Sequence, residues 1–181
     1  MFPLLSRCLY TSLLAGLWLS QPSLAGQLSN GQTFFNAPPM LLDYASTYTV
    51  VSANAAKYYF TFSLPPTAVE PLAKVVFQQQ PNPDQIQFQA DQTIAFLGTQ
   101  NNRGTPLTVQ SATWDANSSQ VTVILDPPVP PGSTFSIRLQ PVQNPDIPST
   151  YQFRVFAYPS GSQSQAMDLG VARFQFYRFY D

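Results

Sequence analysis

Histidine is absent from this 181-residue chain, cysteine occurs once, as Cys8, and glutamate once, as Glu70. Without imidazole or a second thiol there is no Ser-His-Asp or Cys-His nucleophile system, no histidine general base and no Cys/His zinc site. No cofactor or metal is implied. A glycosidase-type carboxylate pair would have to join two aspartates, or one aspartate and Glu70, and no spacing marks such a pair. Charge is also scarce: 9% of residues are Asp, Glu, Lys or Arg, against about 25% in ordinary soluble domains. Solubility therefore rests on Gln, Asn, Ser and Thr. Eight Lys and Arg against nine Asp and Glu leave a formal charge of -1, with no basic excess to displace counterions from nucleic acid or to hold an anionic membrane. Nucleic acid is not an expected partner. Long apolar runs are missing too. The stretch 8–19 is about a dozen residues, short of the ~20 that span a bilayer, so no transmembrane helix is expected in the mature chain.

That short stretch reads as an address. Arg7 precedes it, Ser20, Gln21 and Pro22 break it, and Ser23-Leu24-Ala25 offers the small residues of a cleavage site. Residues 1–25 are expected to be a signal peptide cut after Ala25, giving an exported protein that is periplasmic, envelope-associated or extracellular. Cys8 would leave with it. The single cysteine then has no partner, as suits an envelope domain stable without disulfides.

Residues 26–55 read as irregular: Asn30-Gly31 and Pro38-Pro39 punctuate them, and only 48–51 looks like a strand. From 56 to 181 alternation recurs at 57–64, 74–79, 85–90, 93–97, 107–114, 120–125, 134–140, 150–158 and 171–178, with Gly, Pro, Asn and Asp between. About 8–10 short strands and no long helix predict an all-β, immunoglobulin-like β-sandwich. One short helix could occupy 66–73, although Pro71 limits it. Val121, Val123 and Leu125, then Phe135, Ile137 and Leu139, then Tyr151, Phe153 and Val155 share one parity and are the expected core.

Several motifs carry more than one reading. The run Pro127-Pro128-Val129-Pro130-Pro131-Gly132 is either a polyproline ligand or, more in keeping with its place between strands, a rigid crossover that must end the first strand. Asp115-Ala116-Asn117-Ser118-Ser119-Gln120 imitates the start of a calcium loop, but lacks the glycine at the sixth position, so a hairpin turn is expected. Arg138, Arg154 and Arg173 lie on the polar parity of the last three strands. If those strands are neighbours, the guanidiniums share an outer face with Gln152, Gln175 and Tyr177, which is either an anion- or sugar-binding surface or a solvated face that discourages edge pairing. Trp114, Tyr59, Phe156, Tyr158 and Phe179 are either stacking platforms or covers for the ends of the core. The aromatic terminus 174–181 also suits the last strand of an outer-membrane barrel, against which stand short strands and many prolines.

The proline run, with Ile137-Arg138-Leu139-Gln140-Pro141, Tyr151-Gln152-Phe153-Arg154-Val155-Phe156-Ala157-Tyr158-Pro159 and Leu169-Gly170-Val171-Ala172-Arg173-Phe174, resembles successive blocks of an exported cyanobacterial family, the domain of unknown function numbered 2808. Tyr59-Phe60-Thr61-Phe62, Glu70-Pro71-Leu72 and Thr93-Ile94-Ala95-Phe96-Leu97-Gly98 are similar to it as well. The resemblance spans about 57–177 and departs at Asp146-Ile147-Pro148-Ser149-Thr150, where the family commonly has paired glycines. It implies export and a cyanobacterial source, and no catalytic residues.

The expected function is a non-catalytic envelope or surface module that binds a polysaccharide or an envelope protein, with Arg138, Arg154, Arg173, Tyr177 and Trp114 as candidate contacts. The alternatives are a small outer-membrane β-barrel and an aspartate-dependent hydrolase built on Asp126 or Asp168, or a Ser-Lys pair using Lys57 or Lys74.

Overall fold

The computed structural model describes residues 31–179; the expected signal peptide, with Cys8, lies outside them. Twelve strands follow in order: β1 Gln32–Thr33, β2 Met40–Ser46, β3 Tyr58–Leu64, β4 Leu72–Gln79, β5 Ile94–Gly98, β6 Arg103–Leu107, β7 Val109–Asp115, β8 Gln120–Val129, β9 Ser133–Leu139, β10 Thr150–Pro159, β11 Gln163–Ser164 and β12 Met167–Gln175. Sheet I has the order β12-β10-β4-β8-β7 and sheet II the order β2-β3-β9-β5-β6; β1 and β11 form a separate short pair. All neighbours within the two large sheets are antiparallel. The fold is an all-β, immunoglobulin-like sandwich.

Alternation builds the core as the sequence indicates. Val121, Val123, Leu125, Phe135, Ile137, Leu139, Tyr151, Phe153 and Val155 are all buried, because strands with a period of two turn every second side chain inward. Rings from the two sheets meet there. Phe60 of sheet II lies 4.5 Å from Phe77 and 5.5 Å from Phe174 of sheet I, distances at which tilted and edge-on aromatic pairs are favourable. The chain changes sheets at Thr108, between the edge strands β6 and β7. On the opposite side Tyr44 of β2 packs edge-on against Phe174 of β12 at 5.7 Å.

Several expectations need correction. Residues 40–46, read as irregular, form β2 and pair with β3; their outward residues Met40 and Leu42 are exposed, which erased the alternation that marks a strand. Residues 85–90 form no strand, only a bridge between Phe88 and Pro141 and the start of the 3-10 turn Ala90–Gln92, yet Ile86 and Phe88 are buried, so the periodicity reports burial over the core's end. Pro127 and Pro128 do not end the strand, which runs on to Val129. Ile124 and Val129 of β8 oppose Lys74 and Leu72, so that Leu125, Asp126, Pro127 and Pro128 bulge against Ala73 alone, where no ladder donor is needed. The turn follows at Gly132, with φ of 82°. The described strands form two five-stranded sheets and a short pair, not the single closed sheet that a membrane barrel requires. The expected short helix shrinks to one 3-10 turn, Pro66–Ala68.

Candidate functional site

Of the five candidate contacts, the fold brings two together. Arg154 of β10 and Arg173 of β12 lie on the solvent face of sheet I, where Arg173 opposes Gln152 and Arg154 opposes Val171. Arg138 is in β9, paired with β3 and β5 in sheet II, so the three arginines share no face; β9 and β10, consecutive in sequence, fall in different sheets. Trp114 turns inward, half-buried, with its ring 5.5 Å from Phe88, and covers the core. Tyr177 lies beyond β12, bridged to Val50, and is 52% exposed at the end of the sandwich.

The outer face of sheet I is organised along β10, whose outward residues are Gln152, Arg154, Phe156 and Tyr158. Pairing sets Gln78 and Gln120 in line with Arg154, Val76 and Thr122 in line with Phe156, and Lys74 and Ile124 in line with Tyr158. Phe156 and Tyr158 are half-buried, while Arg154 and Arg173 are exposed. Each ring carries a cation: Lys74 Nζ stands 3.8 Å from the Tyr158 centroid and the Arg154 guanidinium 5.7 Å from that of Phe156. These contacts hold flexible cationic stems over the sheet.

A bulge fixes the charge pattern. The β10–β12 register slips between Arg154 and Phe156, and Gly170, at φ of 93°, supplies the backbone turn. Its N–H donates to Asp168 Oδ1 at 2.9 Å, while Arg154 donates from Nε at 2.8 Å and from Nη2 to Asp168 Oδ2. The Arg154 hydrogen bond, aided by the Gly170 N–H, holds the Asp168 carboxyl below its ordinary range, which makes it a poor general base. Among the described residues the Arg173 and Lys74 side chains make no hydrogen bond or ion pair.

Sheet II presents a different surface. Tyr59, Thr61, Phe96 and Ser136 point away from the core yet are buried, because the β5–β6 hairpin folds over them. Ser136 Oγ donates to the Gly98 carbonyl at 2.8 Å, and Arg103 Nη2 donates to Tyr59 Oη at 2.8 Å. The Arg103 guanidinium stands over the rings of Tyr59 and Phe96 at 5.3 and 5.1 Å. Arg138 donates to the Gln92 carbonyl at 2.8 Å. Arg103 is thus committed to the chain's own groups, whereas Arg138 is held through Nη2 alone and its buried Nε has no hydrogen-bond partner among the described residues. Beside β6 an open apolar groove of ≈ 540 Å³ is lined by Ile94, Phe96, Pro106 and Leu107 among others.

The calcium-like segment is a hairpin turn: Asp115 accepts from the Asn117 N–H at 3.0 Å and the Ser118 hydroxyl at 2.7 Å. No group of three His, Cys, Asp or Glu among the described residues is placed to hold a metal ion, and none of their helices is long and apolar enough to cross a membrane.

Four further residues of this outer face, Lys74, Gln78, Gln120 and Thr122, were not among the candidate contacts read from the sequence. Their outward parity was readable, but their line with β10 depends on β4 pairing between β10 and β8, which no local signal announces.

A family model described as a protein of unknown function (DUF2808) matches residues 32–176. No curated protein matches the chain. Among solved structures, a chain from that of manganese lipoxygenase of Gaeumannomyces graminis and zonadhesin of Komagataella pastoris aligns at 11% identity with a TM-score of 0.50. The match covers 82% of this chain and 48% of that one, so this chain spans about half its length. The C-terminal domain of the Streptococcus pyogenes antigen I/II-family protein AspA aligns at 9% identity and TM-score 0.43, over 70% and 41% of the two chains. The collagen-binding subdomain of the Enterococcus faecalis surface protein ACE aligns at 5% identity and TM-score 0.43, over 74% and 94%. At such identities the likeness speaks to fold alone.

Proposed function

Since the chain belongs to the DUF2808 family of proteins of unknown function, membership supplies no activity, and we propose from the geometry that it is an exported, non-catalytic surface module that binds a polysaccharide along β10. The supporting observation is the file of outward side chains Gln152, Arg154, Phe156 and Tyr158, extended sideways by Gln78, Gln120 and Thr122. A sugar ring has an apolar C–H face and a rim of hydroxyls. The half-buried rings of Phe156 and Tyr158, with the aliphatic stems of Arg154 and Lys74 laid over them, give an apolar strip for the first, and amide, hydroxyl and guanidinium groups at strand spacing suit the second. From Gln152 to Tyr158 the file is roughly 20 Å long at the rise of a strand, enough for several sugar units and more than a small ligand needs.

The test is retardation of the purified protein in gels cast with soluble polysaccharides: dextran, laminarin, xanthan and polygalacturonate. Phe156→Ala with Tyr158→Ala should weaken retardation by at least one polymer about tenfold, the scale of aromatic stacking. Gln152→Ala with Gln78→Ala should weaken it with less risk to folding, and Arg138→Ala, on the other sheet, should leave it unchanged. Equal retardation of both double variants and the parent would remove this face from consideration.

A further inference from the structure

Resting on that reading, we infer that the polymer is acidic, its carboxylate or sulfate groups held by Lys74, Arg154 and Arg173. The chain as a whole is slightly negative, with a formal charge of -1. Three of its eight Lys and Arg nevertheless gather on the outer face of sheet I, Lys74, Arg154 and Arg173, beside Asp168, with Asp126 in the β8 bulge and Asp115 on the far edge strand. Asp115 is turned to its own hairpin, where Asn117 and Ser118 bind both its oxygens.

Position makes these cations more than a solvated fringe. Lys74 flanks Tyr158 at one end of the aromatic strip. Arg154 and Arg173 sit at the other end as diagonal neighbours across β10 and β12, with Cβ atoms roughly 7–8 Å apart by sheet geometry. A chain of sugars lying on Phe156 and Tyr158 would therefore meet a cation at both ends.

Availability separates this face from the other. On sheet II, Arg103 and Arg138 donate to Tyr59, Gln100 and Gln92. On sheet I the Arg173 and Lys74 side chains have no hydrogen-bond partner among the described residues, and Lys74 meets only the Tyr158 ring. Arg154 binds Asp168 through Nε and Nη2, leaving Nη1 without a hydrogen-bond partner among the described residues. That pair is solvent-exposed, and such pairs are weak enough for a polymer carboxylate to compete with them. Arginine's planar fork suits carboxylate and sulfate alike.

The experiment compares polygalacturonate, the same polymer with its carboxyl groups reduced to alcohols, dextran sulfate and plain dextran, each titrated against the whole protein at low and at high salt. Tighter binding of polygalacturonate than of its reduced form, or of dextran sulfate than of dextran, by about tenfold and lost at high salt, supports the inference; which pair responds tells carboxylate from sulfate. Arg173→Gln with Lys74→Gln should lower polyanion binding about tenfold and leave thermal unfolding and any neutral-polymer binding unchanged. Equal, salt-insensitive binding of charged and neutral polymers would overturn the acidic assignment and leave the polysaccharide reading standing. Binding of none of these polymers, nor of laminarin or xanthan, by folded protein would overturn both.

Discussion

Tyr58 Oη donates a 2.8 Å hydrogen bond to Asn144 Oδ1, joining β3 to the loop after β9 within a core where both residues are buried. Asn144 Nδ2 in turn donates to the carbonyls of Tyr48 and Val50 at 3.0 and 2.8 Å, and its N–H donates to the Ala53 carbonyl at 2.8 Å. One amide thus closes the end of the sandwich, and every polar atom it carries is satisfied.

Tyr58→Phe removes the donor and strands the Asn144 oxygen in an apolar setting. The expected loss is about 1–3 kcal/mol, read from denaturant unfolding. The same phenol predicts an alkaline limb. Burial, then the nearby Tyr151, pushes the Tyr58 pKa well above its ordinary value. Unfolded, it ionises near pH 10; folded, it keeps its proton. Above about pH 10 the native state therefore binds more protons than the unfolded state, and stability falls as pH rises, by about 1.4 kcal/mol per pH unit for this group. Below that pH its contribution is constant. The Tyr58→Phe variant should show a shallower limb, and an identical slope in both proteins would contradict the assignment.

Gly98 and Gly170 separate two costs of a side chain. Both have positive φ, at 89° and 93°. A Cβ at Gly98 would stand 2.2 Å from the Asn102 carbonyl oxygen, whereas one at Gly170 meets nothing within 4 Å. Gly170→Ala should cost about 1–2 kcal/mol, the left-handed strain alone. Gly98→Ala should cost about 2–4 kcal/mol, because the hairpin covering Tyr59 and Phe96 must also shift. Thermal unfolding of the two variants ranks them, and the reverse order would show that the hairpin is not held by this turn.

Asp168→Asn tests whether the Arg154 pair restrains the proposed face. The substitution removes the charge that competes for Arg154, so polyanion binding should rise several-fold, with little change in unfolding midpoint because the pair is exposed. Weaker binding would mean that Asp168 positions Arg154 for the polymer.

The alternating runs of β8, β9 and β10 were legible because each strand buries one face, so parity alone sorted Val121 from Thr122 and Phe153 from Arg154. Where burial and periodicity parted, the reading failed. Met40 and Leu42 face solvent on an edge strand and hid β2, while Ile86 and Phe88 alternate in a loop because they cover the core's end. The proline run was read as a stop because Pro has no N–H to give, yet a bulge removed the need for one.

By itself the sequence determined the all-β class, most of the core, and a chemistry without imidazole and with a single thiol, all of which depend on composition and on the parity of neighbouring residues. Only the tertiary structure decided which outward residues share a surface. Strand order joins β12, β10, β4 and β8, segments far apart in sequence, and puts β9 across the core. That order is set by how complementary faces pack and how the chain crosses between sheets, a property of the whole molecule. It moved Arg138 away from Arg154 and brought Lys74 to Tyr158.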